Sequence, residues 1–254
     1  VFYSLRSLIS CSEELIEMAA ERAKEKKTTI QAHMNEYPGE INPYLSRYQK
    51  RPYEFLEEKG VLGPWFLGAH SLLLSEEEKE LIRERGVRIC HCPFSNCGKA
   101  VPDTPSLLKR GIPVGLGTDG AAHGGLSIWN EMKIFRSVMN VTHGAPLAEP
   151  AVMPAKKILD IAVKGGAACL GEEPATIAVG KRADLIGIDM DAPHLWIHGK
   201  ISNTLLESVG AGDVKDMIVG GRFLMRNREI LTLDEEKIRS GALAFEKGES
   251  RWSI

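Results

Sequence analysis

Short apolar runs alternate with amphipathic stretches over the first two-thirds of the chain. The runs predict strands over residues 3–8, 28–33, 65–70, 87–92 and 114–119. Polar punctuation marks the helices between them. Ser12 precedes Glu13 and Glu14, a hydroxyl N-cap followed by acids where the helix dipole is positive. Ser75 precedes three glutamates in the same way, and that helix should stop at Gly86. A third helix is expected over 105–109, ending at Gly111. Strand then helix, repeated every few tens of residues, predicts parallel strands joined by crossover helices.

Five such units are legible, whereas a closed (β/α)8 barrel needs eight, so a doubly wound five-stranded sheet is the alternative. The polar residues favour the barrel. His33, His70 and Asp119 each close a different predicted strand, and barrel active sites are assembled at the C-terminal ends of strands. The expected fold is α/β: a partial (β/α)8 TIM-type barrel made of about its last five units, with the others upstream of Val1.

Two longer helices are predicted over 127–140 and 154–170. From Ile177 the pattern changes to short strands split by Gly-rich turns, such as Val179-Gly180-Lys181-Arg182-Ala183-Asp184-Leu185, with no crossover helices between them. That text predicts part of a small β-sandwich, followed by a helix over 234–247. The expected division is a barrel portion over 1–172 and a sandwich segment with a terminal helix over 173–254.

Composition narrows the function classes. Hydrophobic residues make up 43% and charged residues 26%, and the formal net charge is −2. This is an ordinary globular balance that points to neither a nucleic-acid nor a membrane partner. No apolar run approaches the roughly 20 residues that span a bilayer. The first six residues lack the basic head and apolar core of a signal peptide. The five cysteines are an odd set, expected as reduced thiols in a cytoplasmic protein. Cys90, Cys92 and Cys97 crowd around His91, but no second Cys/His pair stands at zinc-knuckle spacing, so strand packing is their expected role.

Three stretches carry candidate chemistry. Gln31-Ala32-His33-Met34-Asn35-Glu36 ends a strand in an imidazole, with a carboxylate three residues on that can reach a bound water. Gly68-Ala69-His70-Ser71 places a second histidine at a strand end. Gly115-Leu116-Gly117-Thr118-Asp119-Gly120 finishes an apolar strand in a carboxylate, costly to bury without a metal or donors. Each alone has a plain structural alternative: a satisfied core histidine, a solvated glutamate or an N-cap. Together they place His, His and Asp where a divalent metal with an open position for water would be held.

Ile89-Cys90-His91-Cys92-Pro93-Phe94-Ser95-Asn96, with Gly115 to Ala122 and the Gly180-Lys181-Arg182-Ala183-Asp184-Leu185 stretch, resembles the amidohydrolase superfamily over essentially the whole chain. The similarity is to its aminohydrolase branch, which includes S-adenosylhomocysteine/methylthioadenosine, guanine and pterin deaminases and triazine hydrolases. The resemblance implies that His33 is the fifth-strand metal ligand and Glu36 the proton shuttle. It implies that His70 positions the attacking water or touches the metal, and that Asp119 binds metal and accepts a proton. The implied cofactor is one divalent metal, zinc or alternatively iron.

The implied reaction is hydrolytic removal of an amino group from a small nitrogen heterocycle, with release of ammonia. Arg6, in a stretch that looks like the fourth-strand segment of guanine deaminases, is expected to face substrate; it reads equally as a surface arginine. Asn96 and His123 are expected in loops at the barrel mouth as further substrate contacts. Dimers are common in the family, so a homodimer is a further expectation.

Three alternatives stand: dechlorination of a triazine, opening of a cyclic amide, or a catalytically incomplete fragment with a structural role. The last arises because the His-x-His pair of the family's first strand is absent from these 254 residues. A fragment of a protein of about 400–450 residues is the expectation from the missing units.

Overall fold

The computed structural model describes residues 1–122, 125–149, 151–173, 175–196 and 199–247. Its first strands and helices alternate: β1 (Tyr3–Ser7), α1 (Glu13–Glu25), β2 (Ile30–Met34), α2 (Pro38–Tyr48), α3 (Pro52–Glu58), β3 (Phe66–His70), α4 (Glu76–Arg85), β4 (Arg88–His91), α5 (Pro93–Asn96), α6 (Thr104–Lys109) and β5 (Val114–Leu116). The five strands form one sheet in the order β1-β2-β3-β4-β5, and each neighbouring pair is parallel. This is the topology that alternating strands and crossover helices impose.

The caps fall where polar punctuation places them. Ser12 accepts from the amide of Leu15, Ser75 accepts from that of Glu78, and Gly86 ends α4 with φ +66°. The helix pair α2 and α3 is not foreseen in the sequence, because Pro38, Pro43 and Pro52 obscure the 3.6-residue period. Two of those prolines stand in the first turn, where the missing N–H costs nothing.

After β5 come α7 (Ile128–Met139) and α8 (Ala155–Asp160), the latter running through a π-helical turn (Ile161–Gly165) into α9 (Gly166–Leu170). A Cβ on Gly165 would stand 1.9 Å from the carbonyl oxygen of Val114, so glycine lets this helical stretch lie directly on β5. The core is one cluster that includes Ile16, Ile30, Met34, Leu56, Phe66, Ile82, Ile89, Leu107, Phe135 and Ile158.

The chain divides into two compact units, Val1–Thr176 with Gly199–Glu207, and Ile177–His198 with Ser208–Ile254. The second unit holds one antiparallel sheet, β6 (Leu185–Ile188), β7 (Val214–Val219), β8 (Arg222–Arg226) and β9 (Glu229–Ile230), followed by a terminal helix (Glu235–Glu246). Contrary to the expectation of strands and turns alone, this region holds a helix. The segment Ile201–Glu207 between β6 and β7 is helical, and it belongs to the first unit. Its buried Thr204 and Leu206 explain why so short a stretch folds there. Among the described residues no helix is long and apolar enough to cross a membrane.

Candidate active site

The side chains with chemistry gather at the C-terminal ends of the parallel strands. His33 lies on β2 and pairs with Ala69 of β3 in the ladder, while Met34 pairs with His70. Strand alternation puts paired residues of neighbouring parallel strands on the same face. By that rule His70 would share the face of Met34, which is 1% exposed, and turn away from His33. Its backbone prevents this. His70 has φ +65°, and the amide of Ser71 closes a three-residue turn onto the carbonyl of Ala69 at 3.0 Å. The turn swings the imidazole across, so the two histidine rings meet edge-on with centroids 5.0 Å apart.

Asn35, Ser71 and Asp119 also have positive φ, at +48°, +51° and +54°. Such conformations cost non-glycine residues about 1–3 kcal/mol each and persist where surroundings over-determine them. All four stand at or just past the ends of β2, β3 and β5.

His33, Glu36 and His70 each offer a donor atom, and these atoms lie within 4.8 Å of one another. His70 Nε2 stands 3.5 Å from Glu36 Oε1 and 3.9 Å from Asp119 Oδ2. The tautomer of His70 follows from the other side of its ring. Nδ1 is 3.0 Å from Oδ1 of Asn96, an oxygen that can only accept, so Nδ1 carries a hydrogen, and in the neutral ring Nε2 is the nitrogen with the lone pair.

Nε2 thus faces two carboxylates and a second imidazole; Lys99 reaches Glu36 and Ser95 reaches Asp119, and the donor atoms turned toward one another suit a cation or a proton between them. Donors about 2 Å from a common zinc stand roughly 3–4 Å apart, so the residues present fit a divalent metal. Burial pushes the His33 imidazole below its ordinary value, with the neighbouring His70 adding to the effect, which favours the neutral, metal-ligating form.

The remaining contacts hold these groups in place. Glu40, in the first turn of α2, accepts from the amide of Glu36 at 2.8 Å and fixes where that side chain starts. Burial raises the Glu40 carboxyl above its usual range. Asn35 is fully buried and donates to both oxygens of Glu78, at 3.0 and 2.9 Å, while Arg51 meets the same carboxylate at 2.8 Å.

The segment after β4 reaches Glu36, His70 and Asp119. Ser95 Oγ donates to Asp119 Oδ2 at 2.6 Å, Asn96 holds His70, and Lys99 pairs with Glu36 and bonds Ser95 Oγ at 3.1 Å. None of Glu40, Ser95 and Lys99 was singled out from sequence. Their only sequence signal is the dense polar text of 93–99 and a glutamate four residues beyond Glu36.

The expected site residues are thus placed as follows. His33, Glu36 and His70 come together, and Asp119 adjoins them through His70. Asn96 is buried in a helical turn. It ends α5, is 3% exposed and stands behind His70, because Pro93 starts a helical turn where a loop was expected. Arg6 is exposed on β1, one residue before the Ser7–His33 pair. His123 lies outside the described residues.

Known proteins resemble this chain in sequence and in fold. It is 36% identical over 232 residues to a 5'-deoxyadenosine deaminase of Methanosarcina acetivorans, covering 90% of this chain and 53% of that protein. It is 35% identical over 235 residues to a 5-methylthioadenosine/S-adenosylhomocysteine deaminase of Syntrophobacter fumaroxidans, covering 90% and 52%. The chain spans about half the length of these relatives.

Among solved structures, a zinc-bound adenosine deaminase from Xanthomonas campestris superposes with a TM-score of 0.90 at 23% identity, covering 98% of this chain and 57% of that one. A zinc complex of atrazine chlorohydrolase from Arthrobacter aurescens superposes with a TM-score of 0.84 at 24% identity, covering 95% and 53%. These likenesses speak for the fold. The model of the Amidohydrolase family matches residues 4–224, most of the chain. On that match, the chain belongs to the Amidohydrolase family.

Proposed function

We propose that this chain forms the greater part of the active site of a metal-dependent deaminase that removes an exocyclic amino group from a purine-type heterocycle. The observation that carries the reading is the convergence of His33, Glu36 and His70, with Asp119 beside them, at the ends of parallel strands. In this reading the parallel unit is part of a TIM-type barrel, and the antiparallel sheet belongs to a small sandwich domain. The remaining metal ligands come from outside these 254 residues, in keeping with the half-length match to the deaminase relatives. The free state of all five cysteines fits a cytoplasmic, reducing setting.

One divalent metal, zinc in preference to iron, would be held by His33 and His70 with Asp119, and would acidify water and polarise the scissile centre. The chain's own residues do the rest. Glu36, 9% exposed at its side chain, carries a proton to a ring nitrogen of the substrate. Asp119, held by Ser95 on one oxygen and by the amide of Gly120 on the other, accepts a proton from the attacking water. His70 presents the Nε2 lone pair in a direction set by Asn96. Arg6, exposed at the end of β1, offers a planar pair of donors to the substrate ring and favours bases that also bear an oxo group.

An ammonia-release assay over adenine nucleosides, guanine, pterins, cytosine and amino-triazines, using protein from the complete reading frame, tests this. Release from a purine or pterin is the expected result. Chloride release from a chlorotriazine, or ring opening without ammonia, would replace the deaminase reading with hydrolysis of another bond.

A further inference from the structure

We propose that His91 is a positioning residue whose Nδ1–H, donated to the carbonyl oxygen of His70, holds the strained turn that aims the His70 imidazole into the site. The proposal rests on His70 being a working member of that site.

His91 ends β4, is 0% exposed, and lies with Nδ1 2.7 Å from the His70 carbonyl oxygen. A carbonyl only accepts, so Nδ1 is the protonated nitrogen. Nε2 of the same ring is buried without a hydrogen-bond partner among the described residues. Burial holds this imidazole neutral, down to about 4 from its ordinary value. Its ring packs against Phe135, with centroids 6.3 Å apart. Phenylalanine would serve that apolar neighbourhood better, with no orphaned nitrogen to bury. What histidine adds is the bond to His70.

That bond lands on the peptide group where it matters. The carbonyl of His70 follows directly on its φ of +65°, and the next amide, Ser71, is shared between the carbonyls of Ala69 at 3.0 Å and Met34 at 2.8 Å. Relaxation of His70 to ordinary strand geometry would turn its ring toward the Met34 face and away from His33. The end of β4 and the turn after it thus grip His70 twice. His91 fixes its main chain and Asn96 its ring.

Three substitutions separate this role from packing. His91→Asn keeps a donor on the branch that Nδ1 occupies, His91→Gln moves the donor outward, and His91→Phe keeps the ring without any donor. The readouts are the slowly exchanging imidazole Nδ1–H of His70 in proton–nitrogen NMR, which needs no metal, and Zn(II) affinity by competition with a chromophoric chelator.

The expected result is that His91→Asn keeps the His70 Nδ1–H signal and near-normal affinity. His91→Phe and His91→Gln should lose the signal and bind Zn(II) roughly 10–100-fold more weakly. A wild-type signal and affinity in His91→Phe, with loss in His91→Asn, would overturn the proposal in favour of packing. If His91→Phe does not fold, the Asn and Gln pair decides, since equal behaviour of the two also overturns it. Failure of every heterocycle to release ammonia would remove the deaminase reading and leave this comparison intact.

Discussion

The hydroxyl of Ser95 donates to Oδ2 of Asp119 at 2.6 Å, and the same hydroxyl accepts from Lys99 at 3.1 Å. Asp119 itself stands in a left-handed conformation, with φ +54°. The Ser95 hydroxyl therefore helps to orient this carboxylate, whose other oxygen accepts from the amide of Gly120. Removing it should disturb chemistry more than folding.

Ser95→Ala is expected to lower the rate of ammonia release about 10–100-fold, the usual cost of losing a group that orients a metal ligand or proton acceptor. Steady-state assays should place most of the loss in kcat. Zinc content and the denaturation midpoint should stay near wild type. A loss confined to KM would assign Ser95 to substrate binding instead.

A packing prediction tests how tightly the β3 end is built. A Cβ on Gly68 would fall 2.0 Å from the hydroxyl of Tyr53, which bonds Ser71 Oγ at 2.7 Å just past the strained turn. Gly68→Ala should destabilise the protein by about 1–3 kcal/mol through overpacking. In a Tyr53→Phe background the clashing oxygen is gone, so the cost of Gly68→Ala should shrink. Urea denaturation of the four proteins measures the coupling, and strictly additive costs would contradict the contact.

Much of this architecture is legible in the sequence because it is local. Ser12, Ser75 and Gly86 mark helix ends through hydrogen bonds spanning three or four residues, and a short-range pattern reveals them. His33, Glu36, His70 and Asp119 stand out because a polar group ending an apolar strand has few structural reasons to be there. Ser95, Lys99, His91 and Glu40 act through partners that only the fold brings near. His91 meets His70 across 21 positions, and Lys99 meets Glu36 across 63. The bond from Asn96 to the His70 ring was not legible, since Pro93 converts an expected loop into a helical turn.

Alkaline pH should expose the two buried tyrosines. Burial pushes the Tyr44 hydroxyl up to about 12, and it donates to the carbonyl of Leu8 at 3.2 Å. Burial raises Tyr53 further in the same direction. Above about pH 10 the unfolded chain gives up these protons and the folded chain keeps them. The folded state then binds more protons, so stability falls as pH rises from about 10 to 12. Tyr44→Phe should flatten part of that slope in denaturant midpoints taken across the window. An unchanged slope in the variant would show that Tyr44 ionises equally in both states.

Arg6 sets a prediction for specificity. Arg6→Ala should raise KM for amino-heterocycles that carry an oxo group more than for adenine nucleosides, because only the former match a planar donor pair. Competition between the two substrate types in one reaction reads the ratio directly. Equal loss for both would make Arg6 a general contact, and no loss would return it to the surface, where it is exposed.

Glu36 holds the central claim, since it stands within the donor cluster yet is assigned the proton transfer. The most direct measurement is ammonia release by Glu36→Gln beside wild type, with zinc determined on the same samples. The account predicts zinc content like that of wild type and a rate at least about 100-fold lower, the usual contribution of a positioned acid–base group. Zinc lost together with activity would make Glu36 a ligand, and an unchanged rate would contradict the proposed chemistry.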